Sequence, residues 1–388
     1  MKTTLGDIFE IGSGGTPSKI HPEYYGGNIP WVKTGDLKEE YLYSVEDHIT
    51  EEGLNNSSAK MYPPGTVLIA MYGATIGATS ILRFDACTNQ ACAAFKPCTE
   101  VKPEYLYYFL RSKKQKFISD GVGGAQPNIS AGYLKKVCFD IRSSAEQEKI
   151  VSNLDKINGI IQKRQRELLL LDELIKARFV EMFGDPVSNP KGWPMPIIED
   201  VVSPEKNALK AGPFGSSLKK EYYVQSGYKI YGQEQVISGD PNYGDYYINE
   251  EKYKQLENCA VQAGDVLISL VGTYGKLLVM PESFEPGIIN PRLMKITFDR
   301  NKVNPYYFQY YFQSDSLKKS LADNTHGGTM DILNLGIVRK LKIPLPPIEL
   351  QNEFVALVNQ VDKSKAVVRK SIDENLKMFD SLMQRYFG

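Results

Sequence analysis

"GTVLIAMYGATIG" at residues 65–77 returns two hundred residues later as "GDVLISLVGTYG" at 264–275. Gly65, Val67, Leu68, Ile69 and Gly73 recur as Gly264, Val266, Leu267, Ile268 and Gly272, each 199 residues on. A match this short can arise by chance, so its surroundings decide. "KPEYLYYFLRS" (102–112) faces "NPYYFQYYFQS" (304–314), both reading as a proline-started helix with aromatic and leucine side chains at helical spacing. "GGAQPNIS" (123–130) faces "GGTMDIL" (327–333), a glycine pair before a short polar turn. "AEQEKIVSNLDKI" (145–157) faces "IELQNEFVALVNQV" (348–361), with Gln147 against Gln351 and Val151 against Val355. "EMFG" ending at Gly184 faces "RYFG" ending at Gly388. The blocks keep one order, and their offset drifts only from 199 to 204. The chain is a tandem duplication.

A period near 200 residues is far too long for a solenoid, so each unit is a domain with an appendage. The first part of each unit is rich in Gly, Pro, Tyr and short β-branched runs. "TVLIAM", "KVCFDI", "DVLISLV" and "LMKITF" predict strands bounded by turn residues. The last forty or so residues of each unit differ. From Ala145 to Phe183 there is a proline-free stretch in which Ile150, Leu154, Ile157, Ile161, Leu168, Leu171 and Ile175 follow a 4–3 alternation broken by Arg164. Phe354, Val358, Val361, Val368, Ile372, Phe379, Leu382 and Tyr386 repeat it, broken by Lys365 and Asn375. Such a/d spacing predicts coiled-coil pairing of the two helices; packing of each helix on its own half alone is the alternative. A Phe-Gly pair stops each one, glycine tolerating the left-handed cap. Helices of roughly 35 residues are about 50 Å long, and two lying antiparallel give a dumbbell with approximate two-fold symmetry. The expected divisions are 1–144, a first mixed α/β head; 145–190, a central long helix and linker; 191–346, a second head; and 347–388, a C-terminal long helix.

No run of about 18 apolar residues spans a bilayer, and "MKTTLGDIFE" lacks the apolar core of a secretion signal. Five cysteines (Cys87, Cys92, Cys98, Cys138 and Cys259) form an odd set without CxxC spacing, which suggests free thiols in a reducing cytoplasm. Formal charge is zero, from 46 basic and 46 acidic residues. That balance argues against indiscriminate nucleic-acid binding and leaves open a basic face on a neutral protein.

Catalytic equipment is scarce. No GxxxxGK[ST] loop occurs, and "GTYGK" (272–276) lacks the upstream glycine. "IGSGGT" (11–16) is not GxGxxG. "NPRL" (290–293) has Arg292 and Leu293 where an amino-methyltransferase loop has a proline and a stacking aromatic. His21, His48 and His326 are scattered, with no HExxH or triad-like setting.

The loops are richer. In the first head "GSGGTPSK" (12–19), "IPWVKTGDL" (29–37), "TNQ" (88–90) and "GGAQPN" (123–128) gather amides and hydroxyls. The second offers "GPFGSSLKK" (212–220), "KIYGQEQ" (229–235), "INPRL" (289–293) and "NTHGGT" (324–329). Such groups meet phosphate oxygens or read adenine and guanine edges. Candidate DNA contacts are Ser13, Gly15, Thr16, Ser18, Lys19, Lys33, Thr34, Tyr72, Asn89, Gln90 and Gln126 in the first head. In the second they are Ser216, Ser217, Lys219, Tyr231, Gln233, Gln235, Tyr274, Asn290, Arg292, Thr325 and His326. Candidate helix-pairing residues are Leu154, Ile157, Ile161, Leu168, Leu171 and Ile175, with Val358, Val361, Val368, Ile372, Phe379 and Leu382. Ordinary polar turns have the same composition. Divergence at matching places argues for reading: Lys33 and Thr34 become Gly232 and Gln233, and Thr16, Pro17 and Ser18 become Phe214, Gly215 and Ser216.

Over essentially its whole length the chain resembles the specificity subunits of type I restriction–modification systems. The resemblance rests on "IGSGGTPSK", "YYGGNIPWVKTGDL", "GTVLIAMYGATIG", "PNIS…LKKVCFDI", "EQEKIV…LLLLDELIKARFVEMFGDP" and the second cycle ending "IPLPPIELQNEFV". "CFDIRSSAEQ" departs in lacking the "IPLPP" cluster, and "GPFGSS" departs from "GGTPS". The resemblance implies an α+β chain with two tandem-repeated target recognition domains, each reading half of a bipartite DNA sequence. It implies long antiparallel coiled-coil helices that set the spacer and dock two adenine methyltransferase subunits. S-adenosylmethionine and base flipping would belong to those partners, and a translocating restriction subunit would join for cleavage. This chain would hold no cofactor, metal or catalytic residue, and would work in the cytoplasm. A nucleic-acid-modifying enzyme with an unrecognised site, or a non-DNA scaffold with duplicated heads, are the rival readings.

Overall fold

A computed structural model describes residues 2–121, 128–270, 276–323 and 334–388. The chain divides into two compact units: residues 1–166 with 369–388, and residues 167–368.

In the first unit the elements that position the loops are β1 (Ile11–Ser13), β2 (Tyr25–Val32), β3 (Val67–Ala70), β4 (Thr79–Leu82), β5 (Ala86–Thr88) and β6 (Cys92–Phe95). Helix α1 (Pro103–Ser112) and the long α2 (Ser144–Phe183) follow. The second cycle supplies β7 (Leu209–Ala211), β8 (Tyr228–Tyr231), β9 (Val266–Ser269), β10 (Leu277–Val279), β11 (Gly287–Ile289), β12 (Leu293–Ile296), α3 (Pro305–Gln313) and the long α4 (Ile348–Phe387).

The duplication is architectural. The larger sheet runs β1-β6-β3-β4 in the first unit, extended by Tyr41–Leu42, and β7-β12-β9-β10 in the second. Register matches as well: Ser13 lies opposite Ala93, and Ala211 opposite Met294. A smaller sheet is built on a parallel pair, β2 with β5 and β8 with β11. The opening motif forms the central strands β3 and β9, every residue of which is buried, as continuous apolar runs require. Gly65 and Gly264 precede them at φ 86° and 79°, a left-handed turn that glycine enters without a Cβ clash.

The long helices each run 40 residues, about 60 Å at 1.5 Å rise, longer than the heptads alone indicate. Within each unit a part of α2 packs against a part of α4. In the first, Asn153 Nδ2 donates to Tyr386 Oη at 3.1 Å. In the second, Lys365 Nζ lies 2.6 Å from Asp172 Oδ1 and Arg178 faces Glu353 at 3.9 Å, an antiparallel order. Leu154, Ile157, Ile161, Ile175, Val358, Val361, Val368, Ile372 and Phe379 are buried, and Leu168, Leu171 and Leu382 half-buried.

Two buried glutamines tie each long helix to its aromatic helix. Gln147 Oε1 accepts from Lys102 N, at the start of α1, and its Nε2 donates to Glu100 O and Arg142 O, all at 2.9 Å. Gln351 repeats the arrangement with Asn304 N, Lys302 O and Pro346 O, again at 2.9 Å. The five cysteines are free, and burial pushes the Cys87 and Cys92 thiols up to about 12. Among the described residues no helix is long and apolar enough to cross a membrane.

Candidate nucleic-acid interface

Each head gathers its polar loops where the two parallel strands of the smaller sheet end. In the first, Asn89 N donates to Val32 O at 2.9 Å, locking the segment after β5 beside the segment after β2. Asn89 Oδ1 then accepts from Ala91 N at 3.2 Å, and Met71 N donates to Ala91 O at 2.8 Å, which brings Tyr72 to the same place. The glycine loop joins them. A Cβ on Gly14 would fall 1.8 Å from Thr88 O, so this approach needs a bare backbone. Gly15 N donates to Thr88 O at 2.9 Å, Gly15 O accepts from Trp31 Nε1 at 3.0 Å, and Thr16 Oγ1 donates to Gln90 Oε1.

The second head builds the same corner from different side chains. Asn290 N donates to Tyr231 O at 2.8 Å, Asn290 Oδ1 accepts from Arg292 N at 2.9 Å, and Leu270 N donates to Arg292 O at 2.9 Å. A Cβ on Gly212 would fall 1.9 Å from Asn290 O. Gln233 Nε2 donates to Ser269 Oγ at 2.8 Å, while its Oε1 accepts from Arg292 Nη1 at 3.3 Å. The amide and the guanidinium are thus hydrogen-bonded to each other, and both are group types that read base edges.

Several candidates take other places. Tyr231 is fully buried, its hydroxyl donating to Glu285 O at 2.6 Å, because β8 is covered on both faces. Gln235 is buried too: its Oε1 accepts from Gly232 N at 2.8 Å and its Nε2 reaches Tyr243 O, so it shapes the loop. Ser13 is half-buried in β1 and Ser217 half-buried in its turn. Ser18, Lys19, Ser216 and Lys219 are exposed, Lys219 lying 3.6 Å from Glu221. Thr34 is half-buried beside Lys33, whose ammonium is paired with Asp47; that hydrogen bond raises the lysine's pKa. Gln126, Tyr274, Thr325 and His326 lie outside the described residues.

The candidate contacts read from the sequence left out Asp47, Ser269 and Phe214, the last noted there only as a divergent position. Asp47 and Ser269 are ordinary residues until the fold brings Lys33 and Gln233 to them. Phe214 lies inside the quoted "GPFGSS", and its exposure of 86% was the missing signal. Among the described residues, no group of three or more His, Cys, Asp or Glu could hold a metal ion.

Comparison with known proteins agrees with this duplicated layout. Residues 1–170 and 210–377 match the family described as the type I restriction modification DNA specificity domain. The chain is similar to the type I restriction enzyme MjaIX specificity subunit of Methanocaldococcus jannaschii, at 25% identity over 406 residues, covering 98% of this chain and 90% of that protein. It is also similar to the EcoR124I/EcoR124II specificity subunit of Escherichia coli, at 29% identity over 177 residues, 43% of this chain and 44% of that one. Two solved structures share the fold. One, from work on complex assembly and conformational transition of the type I R-M system, has a TM-score of 0.68 at 15% identity, covering 100% of this chain and 97% of that chain. The other, the S subunit from M. genitalium, has a TM-score of 0.54 at 14% identity, covering 100% and 96%.

Proposed function

The chain belongs to the type I restriction–modification DNA specificity family, and from that premise we propose that it is the DNA-reading, non-catalytic subunit of such an enzyme. Residues 1–144 and 191–346 each read one half of a bipartite duplex target. The long helices dock adenine methyltransferase subunits and set the spacer between half-sites, and a restriction subunit joins for cleavage. Methyl transfer from S-adenosylmethionine takes place on the methyltransferases, in the cytoplasm.

One observation carries this reading. Two heads keep the same backbone corner, with Asn89 and Asn290 bonded alike to the neighbouring strand, while the side chains around it are exchanged. Framework kept and contacts replaced is what two copies of one scaffold need to recognise two sequences. Thr16, Thr34, Tyr72 and Gln90 serve one half-site, and Ser216, Gln233 and Arg292 the other. Lys19, Lys33 and Lys219 meet phosphates, which position the protein without reading it. The zero net charge fits a division of labour in which the methyltransferases share the backbone contacts.

The test is methylome sequencing of cells expressing the chain with its methyltransferase. Thr34→Ala is expected to relax one half-site and spare the other, and Gln233→Ala the converse. Each lost base contact should reduce discrimination by about 1–3 kcal/mol. Uniform weakening on every sequence would identify these side chains as phosphate contacts. Exchange of residues 1–144 for another head with both half-sites unchanged would sink the reading.

A further inference from the structure

Phe214 is the most exposed aromatic side chain among the described residues, at 86%. Its loop is anchored on both sides. Ala211 pairs with Met294, Gly212 N donates to Leu293 O at 2.8 Å, Pro213 and Leu218 are buried, and Ser217 N donates to Phe214 O at 2.8 Å. A fixed backbone therefore holds an apolar ring in water, where it forgoes the burial that would stabilise it.

Strand register identifies its counterpart. Phe214 is three residues past Ala211 and Thr16 three past Ser13, and these two strand residues hold equivalent positions opposite Met294 and Ala93. Thr16 donates to Gln90, which follows Asn89; the residue that follows Asn290 is Pro291. A hydrogen-bonded polar pair in one head has become a phenylalanine and a proline in the other. Both positions are polar in the first head and apolar in the second.

We propose that Phe214 is a specificity residue of the second head, packing against a thymine 5-methyl group in its half-site. This rests on the reading that the second head binds duplex DNA. The neighbours select the contact: Gln233, Asn290 and Arg292 carry the amide and guanidinium groups that read major-groove edges, and the thymine methyl lies along that edge. An apolar wedge between base steps acts instead in the minor groove.

The experiment uses the full chain with its methyltransferase and duplexes carrying the mapped target. Replacing each thymine of the second half-site by deoxyuridine removes only a methyl group. With the unaltered chain, one such replacement is expected to weaken binding about fourfold, the worth of a buried methyl-sized group. Phe214→Ser should weaken binding to the thymine duplex by a similar factor and no longer distinguish thymine from uracil there. Uracil in the first half-site should act alike on both proteins. Phe214→Ser binding both duplexes as the unaltered chain does, or losing equally on both, overturns the proposal, as does a second half-site without thymine. The underlying reading is checked separately by exchanging residues 191–346: an unmoved second half-site defeats that reading, whereas a moved one with Phe214→Ser silent defeats only the phenylalanine contact. The exposed site makes Phe214→Ser a soluble, folded control, verified by an unchanged melting profile.

Discussion

Asp265 and Lys295 form a buried ion pair in the second head, 3.2 Å apart, where the equivalent strand positions of the first head hold Thr66 and Ala94. Burial raises the Asp265 pKa, while Lys295 and hydrogen bonds from Thr297 and Gln262 N work against that rise. Removing one partner strands the other charge. Lys295→Ala should therefore cost about 3–5 kcal/mol, whereas Asp265→Thr with Lys295→Ala, which installs the first head's pair, should cost less than the single change. A pH dependence follows with a definite sign. Without Lys295 the folded carboxyl binds its proton more tightly than the unfolded one, whose value is near 3.8. Stability is then fully present below that value and is lost as pH rises through the folded pKa. Urea midpoints of Lys295→Ala at several pH values, read from Trp193 fluorescence in a Trp31→Phe background, check both points, since the chain has only two tryptophans. A midpoint that rises with pH relative to that of the Asp265→Thr, Lys295→Ala double variant would refute this account. Legibility at this scale followed chemistry that repeats. Gln147 and Gln351 were visible as a matched pair because the same residue recurs at the matching place, where its amide supplies one acceptor and two donors. Tyr231 read as a surface group because tyrosine suits both settings, and only the covering of β8 on two faces puts it inside.

The long helices show what periodicity conveys and what it leaves out. The 4–3 spacing picked Leu168 and Leu171 from the four-leucine run 168–171, and the two it passed over, Leu169 and Leu170, are 56% and 48% exposed. Spacing marks Lys365 only as a break. In the fold Lys365 is 6% exposed, with its ammonium 2.6 Å from Asp172 and 3.1 Å from Asp362. The break is thus a polar contact that a pattern of apolar residues cannot express. At the helix offset of 204, Lys365 corresponds to Ile161 and Asp172 to Leu376. The seam holds an ion pair in one unit and two aliphatic side chains at the matching positions of the other. The asymmetry orders three variants. Lys365→Ile leaves Asp172, already 58% exposed, to water and should change stability by less than about 1 kcal/mol. Lys365→Ile with Asp172→Leu should be neutral or stabilising, because well-packed apolar residues replace a buried pair without loss. Asp172→Leu alone takes away the nearer counter-ion of a buried ammonium and should be the most destabilising of the three. Urea midpoints for the second unit, followed through Trp193, give the ranking; Lys365→Ile emerging as the worst would show that the pair stabilises the seam.

The first compact unit is not a continuous piece of chain: residues 369–388 complete it, whereas the second is the single stretch 167–368. Sequence repeats gave the order of heads and helices, because duplication leaves matching strings. They could not show which head a helix serves along each part of its length, since that is decided by contacts between residues far apart in the chain, such as Tyr105 with Phe387 and Phe179 with Tyr307. Phe387 meets Tyr105 with ring centroids 5.3 Å apart, and Phe379 meets Tyr108 at 6.1 Å. Lys113 Nζ donates to Phe387 O, and Asp155 on α2 accepts from the Tyr108 hydroxyl at 2.6 Å, so α1 is gripped by both long helices. Phe379, Met383 and Phe387 are each at most 8% exposed. At about 1.5–3 kcal/mol for each buried side chain of this size, their removal takes away on the order of 5–9 kcal/mol, comparable to the whole stability of an ordinary domain. Deleting residues 369–388 should therefore unfold the N-terminal head, although none of its own first 166 residues has been touched. In a Trp193→Phe background, Trp31 emission should shift towards that of the denatured chain in the absence of urea, and proteolysis should cut within residues 1–166. The second unit, which closes on α4 through Ile348–Val368, should keep its Trp193 urea transition in the complementary Trp31→Phe background. An N-terminal head that stays folded after the deletion would mean that it closes on α2 alone, and that the aromatic contacts of Phe379 and Phe387 contribute little to holding it.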